Sequence, residues 1–372
     1  MHSDSKEKAA KPLWRRILRI ILIILLICVI IFAALLIWLT VTEYKPADSE
    51  EISVQTADGA APEDVREGSS LTYMTWNVGY GALGDNADFF MDGGHSVKTA
   101  DKARVQSNLD GIQSEIEAMD PDYLFMQEVD TDASRSSHID ESQILSEGAA
   151  NWDFAYNYKV KFIPYPIPPI GEVNAGIMTA SSRTLEDASR IQLPCPFKWP
   201  VRLGNLKRCL LVNRTPVLDE NGQDTGKELV SVNLHLEAYD SGEGKAAQTE
   251  MLRQVLQEEA DKGNYVIAGG DFNQTFSGTD DSMYPEYEGR WHCGELDESA
   301  FSDEWQFVMD NTHPTCRSLD QAYAGADHDN FQYYMIDGFI VSSNVQVDSV
   351  STQDLEFVCS DHEPVVMQVT LK

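Results

Sequence analysis

Basic residues are scarce in this chain. Lys and Arg together number 28 against 60 Asp and Glu, a formal net charge of −32 over 372 residues. The scarcity deepens past the N-terminus. Residues 1–19 hold six bases (Lys6, Lys8, Lys11, Arg15, Arg16, Arg19) and two acids, leaving 22 bases and 58 acids, a net of −36, for the remainder. So acidic a composition argues against a general polyanion-binding surface, because phosphate backbones are held by clustered Lys and Arg. Cysteine is sparse too, six in all, which excludes a disulfide-dense scaffold. Five of them (Cys195, Cys209, Cys293, Cys316, Cys359) follow residue 42, an odd number, so at least one is unpaired within the chain. No internal repeat of solenoid or propeller period is present. Also missing are an H-E-x-x-H zinc site, a G-x-S-x-G elbow, a G-x-x-x-x-G-K-[ST] loop and a C-x-x-C pair, which removes four familiar chemistries. What remains is a composition with 42 % hydrophobic residues, enough for a sizeable core.

One stretch has no polarity at all. Ile20 to Leu39 is 20 residues without a charged or strongly polar side chain, and at ~1.5 Å per residue it spans ~30 Å, the thickness of a bilayer core. Trp14 and Trp38 stand near its two ends, and no A-x-A cleavage pattern closes it. The expectation is an uncleaved single-pass anchor over 20–42 in the cell membrane. A basic tail, 1–19, then stays in the cytoplasm and the acidic remainder lies outside. Residues 43–70 are acidic, small and poor in large apolar side chains, and read as a flexible linker.

From Leu71 onward the pattern alternates. Apolar runs at 71–77, 123–128, 229–236, 265–268, 333–341 and 364–371 read as strands. Helical spacing of Val105, Leu109, Ile112 and Ile116 predicts a helix over 98–119, and Ala247, Met251, Leu252, Val255 and Leu256 predict another over 244–260. Strands interleaved with helices give an α/β architecture, here one domain over 71–372. Its polar residues share a position: Asn77, Glu128, His235, Asp271 and Asn273 end apolar runs, Asp337 interrupts one, and Asp361-His362 precedes the last. Strand ends of a layered sheet gather at one rim. Taken singly, each has a plain structural reading: a turn asparagine, a solvated strand end, a core histidine. Asp271 in Gly269-Gly270-Asp271 and Asp337 in an apolar strand resist that reading, since a buried carboxylate without a partner is costly. Asn213-Arg214-Thr215 and Asn273-Gln274-Thr275 match glycosylation sequons.

Read in order, TWN at 75–77, QE at 127–128, N-x-H at 233–235, GDFN at 270–273, IDGFIVS at 336–342 and SDH at 360–362 resemble the endonuclease/exonuclease/phosphatase superfamily. The resemblance implies a four-layer α/β/β/α sandwich of two mixed sheets and divalent-metal-dependent phosphoester hydrolysis. It implies Glu128 as a hard oxygen ligand for Mg²⁺ (or Mn²⁺), assisted by Asn77 directly or through water, with Asp361 as a further ligand. It implies Asp271 as the group that orients and deprotonates the attacking water, and Asn273 as a holder of water or phosphate. His362, oriented by Asp337, stabilises charge on the phosphate, and His235 donates to a phosphate oxygen or the leaving group.

The fold does not choose the substrate. A phosphodiester or phosphomonoester, lipid or nucleotide-like, is expected; the acidity disfavours nucleic acid, while an external nuclease and an inactive surface binding protein stay as alternatives. The Pro-rich segment 159–170 is either a rigid loop over a sheet edge or a substrate wall. Lys159, Lys161, Tyr165 and Asn174 are the candidate substrate-binding residues.

Overall fold

The computed structural model describes residues 13–240 and 242–372, so Lys6, Lys8 and Lys11 of the basic tail lie outside the described residues. Two compact units divide the chain, one ending at Glu43 and the other running from Tyr44 to Lys372. Among its described residues the first contains a single helix, α1, Leu13–Val41. Among the described residues it is the one helix long and apolar enough to cross a membrane. It begins seven residues before the apolar run, taking Arg15, Arg16 and Arg19 into its first turns.

The second unit is built on two mixed sheets. Strands β1 (Ser49–Ile52), β2 (Gln55–Thr56) and β3 (Val65–Arg66) come first. Then follow β4 (Ser70–Asn77), β5 (Tyr123–Asp130), β6 (Asn151–Ile163) and β7 (Gly171–Ser181). After them come β8 (Asp187–Gln192), β9 (Cys209–Leu218), β10 (Asp224–His235) and β11 (Tyr265–Asp271). A seven-stranded sheet runs from Val345–Thr352 through Val365–Leu371, β4, β5, β7 and β6 to β2. An eight-stranded sheet runs β1, β8, β9, β10, β11, Asp337–Ser342, Trp305–Val308, with β3 beside β9. Only β4–β5, β10–β11 and β3–β9 are parallel in these two sheets.

Strand alternation sets the layers. In β4, Leu71 and Tyr73 point between the sheets, where they meet Phe125, Leu229, Ile267 and Phe339. Met74 and Trp76 point the other way, against Val105, Leu109 and Ile112 of helix α2, Lys102–Met119. That helix starts at 102 rather than 98 because Asp101 caps it, accepting from Arg104 N at 2.9 Å; it ends where Asp120 turns left-handed before Pro121. A short helix α3, Glu141–Leu145, packs beside it, and α4, Glu243–Ala260, lays Leu252 and Leu256 on Val230, Val232 and Ala268 of the other sheet. Helix, sheet, sheet, helix is the four-layer order expected. Polar pairs also stitch the sheets together: Gln127 Nε2 donates to Asn233 Oδ1 at 2.9 Å and Tyr73 Oη lies 2.7 Å from Ser231 Oγ.

One expectation is corrected. Residues 43–70 are not a free linker: β1 pairs with β8, β2 with β6 and β3 with β9. Val65 is fully buried, and Ile52 and Val54 pack on core clusters. Edge strands meet water along one side, so Ser49–Ile52 stays polar while its backbone groups are satisfied by the ladder. The predicted strand over 333–341 is also two pieces, Tyr333–Tyr334 and Asp337–Ser342, because Met335 and Ile336 leave the ladder.

Candidate active site

The ends of five strands and one loop bring the sequence-predicted residues to one rim. In the eight-stranded sheet, His235, Asp271 and Asp337 are register partners, abreast on three neighbouring strands. This needs glycines at two positions. A Cβ on Gly270, at φ +148°, would lie 2.0 Å from Leu234 O, and one on Gly269 would lie 2.4 Å from the Phe339 ring. In the facing sheet, Asn77 ends β4 beside Gln127, and a bulge between Met126 and Val129 turns Glu128 out with φ 57°. A left-handed glutamate is uncommon, and such backbone strain concentrates at functional sites. Asn273, φ 51°, is a residue type that tolerates this region; its N donates to Asp271 Oδ1 at 2.8 Å and its Nδ2 to Leu236 O at 2.9 Å. Asn213 and Asn273 are both buried, so neither sequon presents its amide for a glycan in the folded chain.

Asn77 joins the two sheets. Its Nδ2 lies 3.0 Å from Asp271 Oδ2, 3.4 Å from Glu128 Oε1 and 3.5 Å from His362 Nε2. Its Oδ1 accepts from Gly79 N at 3.1 Å, which settles which way the amide points. The Ser360–His362 segment is held against β4: Ser360 Oγ donates to Asn77 O at 2.8 Å and Trp76 Nε1 to His362 O at 2.8 Å. His362 Nδ1 sits 2.8 Å from Asp337 Oδ2, and Thr315 Oγ1 accepts from Asp337 N at 3.1 Å. His235 Nε2 is 3.4 Å from Asp271 Oδ2. Thus Asp271, Asn273, His235, His362, Asp337, Glu128, Asn77 and Asp361 all reach this rim.

Burial sets their charges apart. Burial and the Asp337 carboxylate push Asp271 up to about 7, against the pull of His362. Burial is the largest single influence on His362 and lowers it; the charge and hydrogen bond of Asp337, joined by Cys316, together outweigh burial and hold the imidazole well above its ordinary value. His235 is driven the other way, well below its ordinary value, by burial and then by Arg208 and His362. Asp361 rises to about 6 through burial, with Glu128 adding and His362 and Arg317 opposing.

The residues present fit a divalent cation. Asp271, Asp337 and His362 bring ligand atoms within 4.8 Å of one another, as do Cys316, Asp361 and His362. Glu128 belongs to neither trio but shares Asn77 with the first. Asp337 Oδ1 is buried with no hydrogen-bond partner, and Glu128 and Asp361 repel. Such crowded carboxylate oxygens suit a hard cation that keeps most of its waters and takes one or two carboxylates.

The substrate-binding candidates stand on the adjoining rim, and the polar atoms of Lys159, Lys161 and Asn174 are engaged locally. Lys161 pairs with Glu172 at 2.9 Å, and Asn174 Nδ2 donates to Asp132 O at 2.7 Å. Lys159 Nζ lies 4.1 Å from the Tyr156 ring centroid, and Tyr165 presents its ring to Phe90. Two groups escaped the sequence reading. Behind Glu128, Arg135 makes a two-pronged bond to Asp130 at 2.9 and 3.1 Å and stacks 3.7 Å from the Tyr80 ring centroid. Across the mouth, Tyr239 Oη donates to Asp92 Oδ1 at 3.1 Å. Asp130 ends the same strand as Glu128, past the bulge; Arg135, Asp92 and Tyr239 come from segments between strands with no periodic signal.

Two facing mixed sheets covered by helices, with carboxylates, an amide and imidazoles at one rim, define the phosphoesterase class of α/β sandwiches. The chain belongs to the endonuclease/exonuclease/phosphatase family, whose profile matches residues 74–362. Members of this superfamily are usually hydrolases of phosphoesters and typically use divalent metals. Among solved structures, the endonuclease/exonuclease/phosphatase from Beutenbergia cavernae is similar with TM-score 0.56 and 19 % identity, over 81 % of this chain and 72 % of that one. The endonuclease/exonuclease/phosphatase from Bacteroides vulgatus gives 0.50 and 16 %, over 82 % of this chain and 100 % of that one. These likenesses are of fold. No curated protein matches in sequence.

Proposed function

We propose that Tyr44–Lys372 is a divalent-metal-dependent phosphoester hydrolase, carried outside the cytoplasm by α1 as a single-pass anchor. The observation that carries the reading is Asn77 Nδ2 within 3.5 Å of Asp271, Glu128 and His362, groups from both sheets with complementary charge. Glu128 and Asp361 would hold a bound Mg²⁺ or Mn²⁺, with Asn77 orienting Glu128 through its amide hydrogens or reaching the ion through water, and the ion would supply charge neutralisation at the phosphate. Asp271, raised to about 7, is near the ideal for a general base at neutral pH. It takes the proton of the attacking water as the new oxygen–phosphorus bond forms and the bond to the leaving oxygen breaks. His362, kept charged by Asp337, hydrogen-bonds a phosphate oxygen through Nε2, where charge accumulates. His235, kept neutral, contributes a hydrogen bond rather than a full proton. The basic flank of α1 supports an inward N-terminus and an outward domain.

The test is hydrolysis of bis-p-nitrophenyl phosphate by purified Tyr44–Lys372 with Mg²⁺ or Mn²⁺. Turnover that EDTA abolishes and Asp271→Asn reduces by about 10²-fold or more is expected. Equal turnover by wild type and Asp271→Asn refutes the assignment.

A further inference from the structure

Two residues other than glycine take left-handed backbone at the proposed cation site, and they lie in different segments. Glu128, φ 57°, is one; Tyr80, φ 41°, stands three residues past Asn77 and is the other. Neither residue type favours that region, so each conformation persists only where the surroundings hold it. One side chain touches both segments. It is Arg135, for which the mechanism above has no use. On one side, Arg135 grips the strand that carries Glu128. Its Nη2 and Nε donate to the two oxygens of Asp130 at 2.9 and 3.1 Å. Asp130 is buried, two residues past Glu128 and beyond the bulge. Its backbone N donates to Glu141 Oε2 at 2.9 Å, so the carboxylate and the amide of Asp130 are both held.

On the other side, the guanidinium lies 3.7 Å from the centroid of the buried Tyr80 ring. Tyr80 is the middle of the turn Gly79–Gly81, and that turn sets Asn77: Gly79 N donates to Asn77 Oδ1 at 3.1 Å. The same turn runs against Asp361, since a Cβ on Gly79 would lie 2.9 Å from Asp361 Oδ1. The contacts close a circuit. Asn77 Nδ2 meets Glu128 Oε1 at 3.4 Å, and the strand leads from Glu128 to Asp130. Asp130 binds Arg135, Arg135 covers Tyr80, and the Tyr80 turn holds Asn77. A backbone rung, Val78 N to Gln127 O at 3.1 Å, ties the two segments at their base; Arg135 adds a tie further out. A forked pair on one edge and a ring on one face fix the plane of a guanidinium, which an ammonium cannot reproduce. Ligands ordered by folding need not be ordered on binding, and that raises affinity.

We propose that Arg135 is a positioning residue of the cation site: it locks the strand end bearing Glu128 to the turn that orients Asn77, so that the oxygen ligands stand in place before the cation arrives. The proposal rests on the reading of Glu128 as a cation ligand of the hydrolase above. In this role Arg135 touches neither cation nor substrate.

Mn²⁺ affinity separates positioning from a purely structural role. It is measured on the full chain in detergent by calorimetric titration, beside a thermal melt of the metal-free protein and hydrolysis of bis-p-nitrophenyl phosphate. Arg135→Lys keeps a cation for Asp130 and loses the fork and the flat face. It should bind Mn²⁺ about 10–100-fold more weakly, the usual loss when a group that orients a metal ligand is changed. The Mn²⁺ concentration giving half-maximal rate should rise by the same factor, while KM for the phosphoester at saturating Mn²⁺ stays near the wild-type value. Tyr80→Leu leaves the Arg135–Asp130 pair and removes the ring; it should also weaken binding, and it decides the question where Arg135→Lys does not fold. Tyr80→Phe keeps the ring face and should bind as wild type does. Glu128→Gln gives the reference for a lost ligand. Wild-type Mn²⁺ affinity in a folded Arg135→Lys, or in Tyr80→Leu where the lysine variant does not fold, overturns the positioning role even if the melting temperature falls. The hydrolase reading then stands as long as Glu128→Gln binds weakly. Wild-type affinity in Glu128→Gln refutes that reading, and the positioning role with it.

Discussion

Asp337→Asn isolates the contribution of one charge. At 2.8 Å between Asp337 Oδ2 and His362 Nδ1, the carboxylate stands against the imidazole and favours its charged form. Burial opposes this, because it disfavours imidazolium, so the raised His362 depends chiefly on Asp337, with Cys316 adding to it. The amide keeps the size and a hydrogen-bonding oxygen but not the charge. His362 should then fall below its ordinary value and be neutral at pH 7. A charged donor to the phosphate becomes a weaker one, a loss of about 10²–10³ in kcat. The assay is a pH–rate profile on a soluble phosphodiester. In wild type the rate should rise through about pH 7 as Asp271 ionises, and fall only at alkaline pH as His362 loses its proton. In Asp337→Asn the descending limb should move below neutrality. Asp337→Asn combined with His362→Ala should cost little more than His362→Ala alone, because the two act as a unit. Stability carries the same signature. A folded-state pKa above the unfolded one contributes stability that is complete below about pH 6.5 and is lost as pH rises through the folded value. Wild type should therefore lose melting temperature on the alkaline side, and Asp337→Asn should lack that loss. An unmoved descending limb, or single effects that multiply in the double variant, would refute the dyad.

Glu128→Gln should lower metal affinity and rate together while leaving the melt of the metal-free protein nearly unchanged, measured by calorimetric Mn²⁺ titration beside the rate assay. A chain beginning at Tyr44 should melt cooperatively; one beginning at Leu71 loses β1–β3 and the buried Val65, exposes the edges of β6 and β8, and should melt lower or aggregate in the same calorimeter. Gly270→Ala forces a methyl to within 2.0 Å of Leu234 O and should destabilise by more than about 3 kcal/mol in urea unfolding.

Most of the site was legible because its residues end or interrupt apolar strands, where a polar side chain is conspicuous. Asp337 is the clearest case: inside an apolar strand it demanded a partner, and His362 is that partner. The N-terminal edge was not legible. Composition reports how many large apolar side chains a segment can bury, and an edge strand buries few while still satisfying its backbone, so β1–β3 read as linker. The role of His235 was obscured for another reason. Its protonation is set first by burial and then by Arg208 and His362, 27 residues before it and 127 after it, and no local pattern encodes that field. Arg135 was invisible alike, since its partners Asp130 and Tyr80 meet it only through a loop.

The amide of Asn77 has a consequence in proton counting. Its nitrogen carries two hydrogens, yet three polar atoms of other residues stand around it. If His362 were neutral with a bare Nε2, three acceptors would compete for two hydrogens. With His362 protonated, its Nε2 carries a hydrogen of its own and withdraws as a claimant. The two amide hydrogens then go one to Glu128 and one to Asp271, and the inventory closes. In the proposed mechanism, once Asp271 accepts a proton from water, one claim on the amide weakens and its hydrogen is released toward the other carboxylate or the incoming oxygen. Under the proposed roles, a single asparagine couples the protonation of Asp271 in one sheet to Glu128 in the other, with no movement of the backbone.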